Sequence, residues 1–205
     1  GRAVACCVEE TVPAGPQPVK ELFIVAHSMG GLVTRSALEP AGQAGHAWPR
    51  HLRKIGFLGT PHHGAPLERG GNWIDIILSG TPYVAPLARL GRIRSAGITD
   101  LRYGNLVDQD WEGRDSFAGG GDPRRVIHLP PNMPCYAIAG TGGRELGNLG
   151  ERWLGDGLVP LNSALGRHPE PRRNLEFPES RQWVAVGTGH LDLLRNPDVW
   201  QVIRN

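Results

Sequence analysis

The sequence predicts an α/β fold with a mostly parallel central sheet flanked by helices, and three observations carry that prediction. Four short apolar runs, Leu22 to Ala26, Ile55 to Leu58, Tyr136 to Ala139 and Trp183 to Val186, lack polar alternation. Continuous runs of this kind suit strands buried on both faces under covering helices. Glycine or serine follows each run within two residues, which marks a turn. Helical segments fall between and after the runs, the spacing of parallel strands joined by crossovers.

Taken in order, the opening twenty residues carry Pro13, Pro16 and Pro18 and read as a helix remnant and a loop feeding the first strand. A helix over Gly30 to Leu38 follows, and Pro40, which lacks an N–H donor, is expected to halt it. The second strand leads to a helix over Asn72 to Leu78. Trp73, Ile74, Ile76, Ile77 and Leu78 form a stripe there that either packs in the core or lines an apolar pocket. The segment from about 80 to 129, Gly80 to Leu129, is rich in Gly, Arg, Asp and Pro. Such an insertion reads as a lid over a site or as a surface excursion. Cys135 opens the third strand as a small core residue. After the fourth, Pro197 and Asp198 introduce a last helix over Val199 to Ile203.

At 205 residues the chain is expected to form a single domain, 1–205. The net charge is only +2, Lys20 and Lys54 are the only lysines, and the arginines lie in separate polar segments. That dispersal argues against nucleic acid as a partner. Cys6, Cys7 and Cys135 give neither a disulfide framework nor metal-ligand spacing, so no metal is expected. No stretch reaches the ~18 apolar residues of a membrane span, and the start at Gly1 resembles no signal peptide.

The chemistry centres on "LFIVAHSMGGLV", where an apolar strand runs into a serine and two glycines. A strand turning sharply into a helix can expose one residue at the sheet's carboxyl edge, provided its neighbours are small. Ala26-His27-Ser28-Met29-Gly30 fits that turn, with alanine in the first small position. A serine needs a base to take its proton and an acid to orient the base. In "VAVGTGHLDLL" a strand ends in glycine and delivers His190 to a loop; in "LGDGLVP" Asp156 sits in a turn between glycines. Each residue has an ordinary alternative. Ser28 could cap a helix. Asp156 could be a turn residue. His190 could be structural, with Asp192 a rival acid that is discounted because a residue two positions away orients a base poorly. His27, His62 and His63 read as more doubtful, the pair with Thr60 shaping the loop after the second strand.

The order Ser28, Asp156, His190 is that of α/β-hydrolases. The chain resembles their lipase and esterase branch, including the alpha/beta domain of GPI inositol deacylases and related bacterial lipases. The resemblance rests on "AHSMGGLVTR", "FLGTPHHGAP", "GDGLVPLNSALG" and "GTGHLDLL", and spans nearly everything from Leu22 onward. It implies a serine hydrolase with nucleophile Ser28, acid Asp156, base His190 and one oxyanion-hole donor, the Met29 backbone N–H. It implies a small-molecule or lipid ester substrate, no cofactor, and room for transient contact with a membrane surface. An acyltransferase or amidase on the same residues, or an inactive binding module, are the alternatives. The second oxyanion donor normally comes from a loop after an earlier strand, and none precedes Leu22, so the chain is expected to be the carboxyl-terminal portion of a longer hydrolase. The first strand is then expected at an unpaired edge.

Overall fold

In the computed structural model, residues 1–65, 106, 125–143 and 155–204 are described. Within them, β1 (Leu22–His27), β2 (Leu52–Leu58), β3 (Cys135–Thr141) and β4 (Gln182–Val186) form one sheet in chain order. Every pairing is parallel, with Ala26 beside Phe57, Phe57 beside Ala137 and Ala139 beside Val184. Parallel neighbours need crossovers, and α2 (Met29–Gln43) supplies the first. The expected Asn72–Leu78 helix and most of the 80–129 insertion lie outside the described residues.

Side-chain alternation divides the sheet into two faces. On one, Ala26, Ile55, Phe57, Ala137 and Ala139 pack with Ala37 and Ala41 of α2 and with Ala5 of α1 (Arg2–Ala14). On the other, Leu58, Ile138 and Ala185 meet Leu193 and Val199, the latter on α3 (Pro197–Arg204). Cys135 is buried on the first face, and burial pushes its thiol up to about 11, which keeps it protonated and inert at neutral pH.

Two sequence expectations need correction. α2 does not stop at Pro40 but continues to Gln43. A mid-helix proline removes one ladder bond and costs ~3 kcal/mol. Here the following turn resumes with the Ala44 N–H on the Pro40 carbonyl at 2.9 Å, and Ala37 and Ala41 bury their methyls against the core on either side. Packing against α1 and the sheet outweighs the local propensity. The second correction concerns β1, which is not buried on both faces: Phe23 is 54% and Val25 44% exposed. β1 is the edge of the described strands, and the cluster around α3 on that face takes in Leu58 of β2, Ile138 of β3 and Ala185 of β4 but no residue of β1. A groove of about 410 Å³ remains between Phe23, Val25, Lys54, Tyr136 and Val202.

Candidate active site

The carboxyl ends of the parallel strands gather the predicted chemistry. Ser28 follows β1 directly, and its N–H extends the ladder to the Leu58 carbonyl at 2.8 Å. It then turns with φ 55° and ψ −127°, a conformation that costs a non-glycine residue about 1–3 kcal/mol. α2 starts at Met29, whose N–H, like those of any first helical turn, has no acceptor within the helix. The position is that of an N-cap, yet the serine side chain makes no capping bond. The ordinary reason for a serine here is therefore absent. The glycine that this turn demands by close packing is Gly31, where a Cβ would lie 2.1 Å from Thr60 Oγ1. A Cβ on Gly30 would meet that of Ala26 at 3.9 Å, an ordinary contact, which explains why alanine is tolerated at position 26.

Asp156 and His190 are brought together from distant parts of the chain. Asp156 is buried between Gly155 and Gly157, whose φ values of 49° and 93° build the turn. One carboxylate oxygen accepts the N–H groups of Leu158 at 3.0 Å and Val159 at 2.8 Å. The other lies 2.7 Å from His190 Nδ1. A carboxylate that accepts at both oxygens requires the Nδ1–H form of the imidazole. In the neutral ring Nε2 is then the basic nitrogen. The main chains are joined as well, His190 N–H to Asp156 O at 3.1 Å. Asp192, the rival acid, does not take this place: its carbonyl instead closes the turn after His190 by accepting from Arg195 and Asn196.

Two sets of contacts link His190 to the serine turn. The His27 ring stacks against His190 with centroids 4.6 Å apart, and its Nε2 reaches the His190 carbonyl at 2.9 Å. From the other side, Gly59 follows the residue bonded to Ser28, and a Cβ placed on it would sit 3.1 Å from His190 Nδ1 and 2.9 Å from Asp156 Oδ2. Gly59 also has φ 53°. This glycine forms the floor beneath the Asp156–His190 pair. Gly59, which sequence reasoning did not single out, and His27, which it ranked as doubtful, both lie at this candidate site. The signal was present in "FLGTP", where a glycine ends the neighbouring strand, and in the adjacency of His27 to Ser28.

His62 and His63 do shape the loop after β2. His62 packs edge-on against Phe57 at 4.9 Å and faces Phe177 at 5.5 Å, with Nδ1 3.5 Å from Arg35. Burial first, then the Arg35 charge and His63, hold its pKa well below the usual imidazole range. The His63 N–H donates to Ser163 Oγ at 3.1 Å, and that hydroxyl donates to Gly64 O at 2.7 Å. Among the described residues no His, Cys, Asp and Glu cluster could hold a metal ion. Nor is any described helix long and apolar enough to cross a membrane.

The family described as PGAP1-like alpha/beta domain matches residues 8–118, more than half of the chain. The chain belongs to this family. The match includes His27, Ser28, Met29 and Gly59 of the PGAP1-like domain and ends before Asp156 and His190. Among solved structures the chain is similar to the mature form of the Bacillus licheniformis lipase BlEst2, with 17% identity and TM-score 0.51 over 98% of this chain and 70% of that one. The propeptide form of the same lipase aligns at 18% identity and TM-score 0.47, over 93% of this chain and 36% of that one. No curated protein matches the chain. The family match and the all-parallel sheet with its flanking helices make this an α/β-hydrolase fold.

Proposed function

We propose that the PGAP1-like domain is a serine hydrolase of carboxylic esters, acting through an acyl-enzyme on Ser28. The observation that carries this reading is the buried 2.7 Å contact between Asp156 and His190 Nδ1, beside the strand-to-helix turn of Ser28. With Nδ1–H held by the carboxylate, Nε2 can take the serine proton as Oγ attacks the ester carbonyl. The imidazolium that forms is stabilised by Asp156, whose second oxygen remains satisfied by Leu158 and Val159. His190 then returns the proton to the departing alcohol. Water attacks the acyl-enzyme by the same route in reverse and releases the acid.

The Met29 N–H at the start of α2 is assigned as one donor to the oxyanion of the tetrahedral intermediate, where the helix dipole adds to its effect. The substrate class, an ester with an apolar acyl or alcohol part, is supported by the family membership and by the lipase fold. Hydrolysis of a panel of p-nitrophenyl esters tests the reading. Ser28→Ala is expected to abolish turnover without lowering the melting temperature; His190→Ala is expected to abolish it as well, at a lower melting temperature because the buried Asp156 carboxylate loses its partner, and turnover that survives Ser28→Ala would refute the assignment.

A further inference from the structure

We propose that His27, the residue just before the serine, is the positioning residue that holds the base in register with the nucleophile; this rests on the hydrolase reading above. Its Nε2 lies 2.9 Å from the main-chain oxygen of His190. A carbonyl oxygen only accepts, so Nε2 carries the hydrogen and donates it. The main chain of His190 is thereby gripped at both of its polar groups, the N–H by Asp156 O at 3.1 Å and the C=O by His27. The rings add a second contact, with centroids 4.6 Å apart and planes tilted by 43°.

The consequence is a short ruler. His27 is one peptide link from Ser28, so the place of the base relative to the hydroxyl is fixed through one side chain, rather than only around the sheet by β2 and the Asp156 turn. A donor at position 27 is what this needs, and a small or purely apolar side chain there would leave the His190 carbonyl without it. The ring must also stay neutral, because a cation stacked on His190 would oppose the charge that His190 acquires in the reaction. The groups facing His27 are His190 and Asp156, and burial first, then His190, lowers its pKa below the ordinary imidazole value. His27 is therefore a donor without being a competing cation.

The experiment compares His27→Phe, which keeps a ring and loses the donor, with His27→Gln, whose side-chain amide N–H can occupy the place of Nε2–H. In the full chain, His27→Phe is expected to lose about 10- to 100-fold in kcat with KM unchanged, the effect of a base displaced by a fraction of an ångström. His27→Gln should recover most of that loss at the same melting temperature. Equal losses in both variants, or wild-type kcat in His27→Phe, would overturn the proposal. Nitrogen NMR of the unmutated protein at neutral pH is the companion measurement and does not depend on how the variants fold. A His27 ring in the neutral Nε2–H form supports the clamp, and an Nδ1–H or charged ring overturns it. If the wild type neither turns over esters nor labels with a fluorophosphonate, the hydrolase reading fails and takes the positioning role with it, while the NMR result still decides whether the clamp exists.

Discussion

Replacing Gly59 by alanine should damage stability and chemistry together, because this glycine lies under the acid–base pair. Its φ of 53° is left-handed, and an L-residue there costs about 1–2 kcal/mol. The added Cβ would fall 2.9 Å from Asp156 Oδ2, 3.0 Å from Leu193 Cδ1 and 3.1 Å from His190 Nδ1, all inside van der Waals contact. Relief requires the carboxylate and imidazole to move apart from their 2.7 Å bond, and weakening a hydrogen bond between a charged and a neutral group costs up to about 1.5–3 kcal/mol. A total near 3 kcal/mol corresponds to a fall in Tm of about 6–12 °C for a domain of this size. The same displacement should lower kcat/KM by about tenfold or more. Gly142→Ala is the control, since a Cβ there meets nothing within 4 Å, and its effect should stay within about 0.5 kcal/mol. Thermal melts by circular dichroism and ester hydrolysis read both arms. A Gly59→Ala protein that melts with the wild type and keeps its turnover would refute the geometry described for this site.

Three further perturbations probe separate parts of the molecule. Asp156→Asn keeps an acceptor for Leu158 and Val159 but turns an N–H₂ toward His190, favouring the wrong tautomer; kcat should fall by about 10³- to 10⁴-fold with the fold retained, as steady-state kinetics beside a melt would check. His62 has its pKa depressed in the folded state, so the unfolded chain binds its proton first as pH drops below 6.5 and stability is lost from there downward. Urea unfolding should therefore show the wild type losing about 1 kcal/mol or more between neutral pH and about pH 5.5 relative to His62→Phe, which keeps a ring between Phe57 and Phe177; parallel pH profiles would contradict this. On the open face of β1, Phe23→Lys should change stability by less than about 0.5 kcal/mol while reducing association seen by light scattering, since it places charge on an exposed apolar edge.

The parallel sheet was legible because its strands are short unbroken apolar runs closed by glycine or serine, and the boundaries from Leu22, Ile55, Tyr136 and Trp183 fall within the observed strands. The continuation of α2 past Pro40 was not, because the burial of Ala37 and Ala41 against α1 is a tertiary term that propensity does not contain. The exposure of Phe23 and Val25 was equally hidden, since an apolar run announces a strand but not how much of the sheet the helices will cover. Ser28, Asp156 and His190 were candidates from turn chemistry and chain order, and the structure brings Asp156 and His190 into contact. Gly59 and His27 carry only a weak signal, a glycine closing β2 and a histidine beside Ser28, because their contacts with His190 exist only once β2 and the loop after β4 arrive at the same rim.

The claim on which the account depends is that Ser28 is an activated hydroxyl. Treating the protein with a fluorophosphonate and locating the adduct by peptide mass spectrometry tests it directly. Modification is expected at Ser28 alone, and is expected to be lost in both Ser28→Ala and His190→Ala. Labelling elsewhere, or at Ser28 with His190 removed, would contradict it.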